Sequence, residues 1–338
     1  MKRISRRVEE TPSGRARNCE EKMANESDIY RERYVMAYGV LDLEPAQARY
    51  RAIVGTDDFP DTPEGKLAAS AIKKLKTGDP DGPTPPELAA LEYLIRLVRP
   101  APLFRNGEPD ALAAPEFKTA FPGWDAFRPL TPPWAYAVGR IERDKSSPGG
   151  TGFLVSDRYL VTNNHVLDFI SFGVRKIAPG QAFVRFEWEY ECPPTEGPVD
   201  LLSVAASHST LDVCILEIAP IDMTHRRPLK IAPSLPSIHV AIVAVGYPFN
   251  DSTRNPLFIP EIFGNSFGVK RGAAGYVTGL QSPTSAFFHD CSTLGGNSGS
   301  PLVSMKDGTV YGVHCGGGFL WRNQAVDCIA LSKFVASI

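Results

Sequence analysis

The sequence predicts a mainly β protein, a barrel or sandwich of short strands, with a helical region at its N-terminus. Three observations carry this. From Trp134 onward the apolar residues fall in short runs bounded by turn residues. Examples are Gly152-Phe153-Leu154-Val155, Tyr159-Leu160-Val161, Val213-Cys214-Ile215-Leu216 and Val240-Ala241-Ile242-Val243. Many short strands with turn signals read as an all-β barrel or sandwich. Second, Asp307-Gly308 lies between Pro301-Leu302-Val303 and Val310-Tyr311-Gly312-Val313, a hairpin signal. Third, over residues 23–98 the apolar residues recur at the spacing of a helix face.

In order, residues 1–22 are polar and charged and are expected to be disordered. Met23 offers an alternative start. Residues 23–98 read as a helical accessory region. Helices are expected from Asp28 to about Leu41, from Pro45 to Val54, and from Thr62-Pro63-Glu64 onward, where Leu67, Ala71 and Leu75 mark a face. Gly78-Asp79-Pro80-Asp81-Gly82 is a turn. Thr84 and Glu87 then form a capping-box pattern ahead of Leu88, Leu91, Leu94, Ile95 and Val98. Pro100 and Pro102 end that helix. Residues 99–133 are Pro-rich, with Phe104, Phe117, Phe121, Trp124 and Phe127 interspersed. A flexible linker does not need these aromatics, so this connector is expected to pack on the strands. The strand region spans 134–338, and 331–338 reads as a terminal helix.

Bulk composition narrows the function. The 338 residues are 43% hydrophobic and 22% charged, ordinary for a globular protein with two or three domains or subdomains. A net charge of −2 lacks the basic footprint of a nucleic-acid binder. No run of 18 apolar residues predicts a membrane span. The basic stretch Met1–Arg7 has no apolar segment behind it, so no secretory signal is expected. The six cysteines include no CxxC pair and read as reduced thiols in a cytoplasmic protein. No metal, phosphate or nucleotide motif precedes residue 134, and no cofactor is expected.

Three stretches carry chemistry. Gly295-Gly296-Asn297-Ser298-Gly299-Ser300-Pro301 presents a serine on a tight loop before a strand. A surface turn uses the same residue types, so the loop needs partners to mean more. Val161-Thr162-Asn163-Asn164-His165 sets a histidine just past a strand end, and Leu211-Asp212-Val213 sets an aspartate before a strand. Nucleophilic catalysis needs these three types together. Ser298 needs a base, His165 has the intrinsic pKa for it, and Asp212 would fix the imidazole tautomer. The backbone N–H groups of Gly296 and Ser298 are candidates for an oxyanion hole. His208 is a rival base that lacks the strand-end context. A G-x-S-x-G elbow is ruled out because position 300 is Ser.

In these motifs the region 134–338 resembles the trypsin/chymotrypsin superfamily of serine peptidases. The resemblance implies a double β-barrel with the site between the barrels. The first barrel, about 134–245, would carry His165 and Asp212; the second, about 262–330, would carry Ser298. Typical members have Asp before the nucleophile, paired with a freed N-terminus. Asn297 stands there, which argues against that activation. Gly-Asn-Ser-Gly-Ser-Pro and Tyr311-Gly312-Val313-His314-Cys315-Gly316-Gly317 resemble instead the bacterial glutamyl-endopeptidase (V8-like) branch. By that resemblance Ser292, Thr293, His314, Gly316 and Gly317 line the S1 pocket. His314 and Thr293 would bind a P1 carboxylate, implying cleavage after Glu or Asp; a pocket for small apolar side chains is the alternative. Cys315 departs from the serine that often contacts the catalytic Asp, and a thiol is a weaker donor.

The expected activity is therefore that of a serine endopeptidase with a protein or peptide substrate. A regulatory protein partner through 23–98 is also expected. The alternatives are a non-catalytic, protease-like binding module and an esterase on the same triad.

Overall fold

The computed structural model describes residues 44–55, 62–250, 259–281, 284–317 and 323–338. The helix expected over Asp28–Leu41 and the stretch 1–22 lie outside them. Three helices come first: α1 (Glu44–Val54), α2 (Pro63–Thr77) and α3 (Pro85–Leu97). They share a core that includes Ala46, Tyr50, Ala68, Ala71, Leu75, Leu88 and Leu91. Thr62 caps α2 by accepting from Gly65 N at 3.1 Å. Gly78, at φ 66°, ends it in the left-handed region. The inward face of α2 includes Ala71 and Leu75, as read from the sequence, but not Leu67. Leu67 is exposed, while Ala68, Ala71, Ile72 and Leu75 are buried. The small alanines let the paired helix approach, so they take the inner stripe.

The Thr84–Glu87 reading holds at the start of α3, where Thr84 N donates to Glu87 Oε2 at 2.6 Å. Leu88, Leu91, Leu94, Ile95 and Val98 are buried, but so are Glu92 and Arg96. These last two pair at 3.1 Å. Just beyond α3 the chain meets strand-region elements: Ala101 N donates to Ile262 O at 2.8 Å. In 99–133, Phe104, Phe117, Phe121, Trp124 and Phe127 are all buried and belong to the same core as the strands. Phe121 stacks on Tyr276 with ring centroids 5.1 Å apart.

Strands β1 (Val138–Arg143), β2 (Ser147–Leu154), β3 (Tyr159–Thr162), β4 (Ala182–Arg185), β5 (Val199–Ser207) and β6 (Cys214–Ile218) close the first barrel, in the order β1-β2-β3-β6-β5-β4. Strands β7 (Ala241–Gly246), β8 (Arg271–Gln281), β9 (Ala286–His289), β10 (Pro301–Ser304), β11 (Val310–Gly317) and β12 (Asn323–Asp327) close the second, in the order β8-β9-β12-β11-β10-β7. The double β-barrel is thus present. The boundary differs from the sequence expectation: β7 opens the second barrel, paired with β8 and β10. Strand period says that 241–246 is a strand, but not which sheet receives it. Asp307-Gly308 turns the β10–β11 hairpin, with Gly308 at φ 73°. The terminal helix, α5 (Cys328–Val335), starts three residues earlier than 331. Asp327 caps it there by accepting from Ala330 N at 2.8 Å. Among the described residues, no helix is long and apolar enough to cross a membrane.

Candidate active site

His165 sits in the first turn of a short helix, α4 (Asn164–Ile170), directly after β3. Asp212 precedes β6, which pairs with β3. That pairing brings the two side chains together. Both carboxylate oxygens of Asp212 are spent on His165. Oδ2 lies 2.6 Å from the ring Nδ1, and Oδ1 accepts the His165 backbone N–H at 3.1 Å. An ionised carboxylate only accepts, so the ring proton belongs on Nδ1 and Nε2 keeps its lone pair. The Asp212 loop is itself suspended. Asn163 Nδ2 donates to Asp212 O at 2.7 Å, and Asn164 Nδ2 donates to Leu211 O at 2.9 Å and His208 O at 3.0 Å. His208 Nδ1 accepts from Leu211 N at 3.0 Å and its ring lies edge-on to Phe334. It therefore braces its own turn and leaves Asp212 to His165.

Ser298 is half-buried, on the loop entering β10. The loop is pinned to the first barrel by one fully buried residue, Thr151 on β2. Thr151 N donates to Ser298 O at 2.8 Å, and Thr151 Oγ1 donates to Gly296 O at 2.7 Å. Thr162, three residues before His165, donates its hydroxyl to Thr151 O at 2.7 Å. Thr151 thus ties the histidine strand to the serine loop. Two glycines make this possible. Gly299 has φ 86°, and a Cβ there would lie 2.0 Å from Thr151 O. Gly296 has φ 91°, and a Cβ would lie 2.2 Å from Tyr247 O. Among the described residues the N–H groups of Gly296 and Ser298 donate to no backbone acceptor. The Ser298 hydroxyl likewise carries no hydrogen bond to His165.

The residues expected to line S1 lie on the two segments flanking this loop. His314 N donates to Ser300 O and Gly299 N donates to His314 O, both at 2.9 Å, so β11 runs directly against the serine loop. Ser292, Thr293 and His314 are buried, Gly316 is half-buried and Gly317 is exposed. Ser292 Oγ is buried without a hydrogen-bond partner among the described residues. Burial, and then the nearby charge of His165, pushes His314 down to about 3. It is neutral near pH 7. A cleft of about 670 Å³ opens beside Asp212, lined also by Cys315, Gly316, Gly317 and Gln324.

Sequence reading missed three contributors. Thr151, just ahead of the Gly152-Phe153-Leu154-Val155 run, has no catalytic chemistry of its own to mark it. Asn163 stands in the histidine motif, yet only the fold shows its amide reaching Asp212. His289, on β9, is fully buried with its Nε2 3.1 Å from His314 Nδ1; a lone histidine in a strand gives no signal of this. Cys315 contacts Asp212 through the backbone carbonyl at 3.9 Å, not the carboxylate. Burial, with Asp212 adding to it, pushes that thiol up to about 12, so it stays protonated.

Comparison with known proteins bears on this region. Residues 150–313 match the family model described as a trypsin-like peptidase domain. A protein of Lysobacter enzymogenes, named a probable serine protease, is 28% identical over 252 residues, covering 60% of this chain and 63% of its own length. This chain therefore spans less than two thirds of that relative. Among solved structures, the inactive form of the Rv3671c protease of M. tuberculosis is 18% identical, over 68% of this chain and 98% of that one, with a TM-score of 0.42. A serine endoprotease from Yersinia pestis is 19% identical, over 61% of this chain and 63% of that one, with a TM-score of 0.43. Residues 150–313, which run through both closed barrels, are thus similar to a trypsin-like peptidase domain.

Proposed function

We propose that the protein is a serine endopeptidase that works through an acyl-enzyme, with His165, Asp212 and Ser298 as its triad. The observation that carries this is the double grip of Asp212 on His165, through ring Nδ1 and backbone N–H. It orients the imidazole and fixes the tautomer that can act as a base. In the reaction, Ser298 Oγ attacks the scissile carbonyl as His165 Nε2 takes its proton. The oxyanion is received by Gly296 N–H and Ser298 N–H. His165 then returns the proton to the leaving amine. Water, deprotonated by the same imidazole, attacks the acyl ester and releases Ser298.

For specificity we propose cleavage after Glu or Asp. The carboxylate would meet His314, Thr293 and Ser292, with Gly316 and Gly317 lining the entry. Three observations favour a polar P1 group. Ser292 Oγ is buried and has no hydrogen-bond partner among the described residues, a state that costs free energy until a ligand satisfies it. His314 is held by His289, which frees its other ring nitrogen for a ligand. Among these residues no carboxylate lines the pocket to pair with Lys or Arg.

The test is an unbiased cleavage-site profile of the full chain beside Ser298→Ala, with fluorophosphonate labelling in parallel. Labelling lost in Ser298→Ala and cleavage after Glu support the reading. Labelling without peptide cleavage makes it an esterase. No labelling at all makes it a protease-like binding module. Preference for Lys, Arg or Ala at P1 removes the acidic-pocket proposal alone.

A further inference from the structure

Asp290 lies between His289 and the run Cys291-Ser292-Thr293. It lies two residues before Ser292, the start of the proposed S1 wall, and it is deeply buried. Its charge is answered from the helical side of the molecule. Arg99, just past the end of α3, donates from Nη1 to Asp290 Oδ2 at 2.9 Å, with both side chains 1% exposed. The Arg99 guanidinium lies against the rings of Phe121 and Tyr276, each 5.3 Å away. Asp290 Oδ1 accepts from Tyr276 N at 2.5 Å. Gly275 makes room for the aspartate, since a Cβ there would sit 2.7 Å from Oδ1. The site is thus built around one orientation of one carboxylate.

That carboxylate acts on the histidine pair. Burial is the largest cause that keeps His289 neutral, with His314 and Arg96 adding to it, while Asp290 opposes it. A buried ion pair is costly to break, because removing one partner leaves an uncompensated charge. Here that charge would stand beside His289, one hydrogen bond from His314.

Building on the assignment of His314 to S1, we propose that Arg99 is a positioning residue for P1 specificity. By neutralising and orienting Asp290, it lets the His289–His314 pair receive an acidic side chain. The helical region then contributes to substrate choice through its junction, in addition to any partner it binds.

The test uses the full chain and two peptides that differ only at P1, Glu or Gln. Arg99→Met is expected to lower the Glu-to-Gln ratio of kcat/KM at least fivefold, mostly through KM for the Glu peptide. Ser298 labelling by a fluorophosphonate without a P1 side chain should stay within about threefold. Asp290→Asn removes the negative charge and should hold or raise the ratio. The double variant should return it to within about threefold of the parent. An unchanged ratio in folded Arg99→Met overturns the proposal. So does an equal fall in both single variants, which would mark plain structural damage. If Arg99→Met does not fold, the direction of the Asp290→Asn shift decides. If the parent shows no preference for Glu over Gln, the acidic-pocket reading fails on its own. Arg99→Met must then still shift the full P1 profile, and an unaltered profile overturns the coupling.

Discussion

Asp212 spends one oxygen on the ring of His165 and the other on its backbone. Asp212→Asn would present an amide that can donate to Nδ1 and hold the wrong tautomer. Peptidase turnover is expected to fall by about 10⁴-fold with the fold intact, measured as kcat beside a thermal melt. A second residue-scale prediction concerns stability. His314 is pushed from 6.5 down to about 3 by burial and then by His165, and His289 is also held low by burial. Between those pH values the unfolded chain binds protons that the folded chain refuses. Stability is therefore expected to fall as pH drops from about 6.5 toward 3, at up to about 1.4 kcal/mol per pH unit from His314, with His289 acting in the same direction. His314→Gln should flatten that slope in urea titrations run across the window. An unchanged slope would mean that His314 is protonated in the native state.

Between β2 and the serine loop, geometry leaves almost no freedom. Gly299 adopts a positive φ and packs against Thr151 O where no Cβ fits. Gly299→Ala must move either the loop or β2, and both carry parts of the site. Fluorophosphonate labelling of Ser298 is expected to slow by about 100-fold or more, the scale of losing an oxyanion donor. Circular dichroism should still report both barrels. Thr151→Val probes the same junction more gently. It keeps the shape but leaves Gly296 O without its donor and Tyr247 N without its 3.2 Å acceptor. Stability should fall by about 1–3 kcal/mol in a denaturant titration.

The connector and the barrels share one core, while the three helices have a core of their own. Phe104, Phe117, Phe121, Trp124 and Phe127 are each no more than 1% exposed and lie in the barrel core. Burying one such side chain contributes about 1.5–3 kcal/mol. Together they match the whole stability of a typical domain, about 5–15 kcal/mol. A chain beginning at Trp134 is therefore expected to lose cooperative unfolding in a thermal scan. The role of the helices has to be tested with a chain that keeps the connector, beginning near residue 99. Higher activity than the full chain would show that the helices restrain the site. Equal or lower activity would assign them support or recruitment.

What the sequence determined by itself is what depends on neighbours along the chain. The strand runs, the Asp307-Gly308 hairpin, the Thr84–Glu87 cap and the glycine-flanked Ser298 are local patterns, and local geometry dictates them. The chain order of His165, Asp212 and Ser298 was legible too, because each lies beside a strand end. Only the tertiary structure decided what depends on distant partners. It gave β7 to the second barrel, turned Ala68 rather than Leu67 inward, and set His208 to bracing its own turn. It also made Thr151 the tie between the barrels and placed Arg99 on Asp290, 191 positions away. A buried polar group is recognised by the partner that satisfies it, and barrel closure, not sequence spacing, chooses that partner.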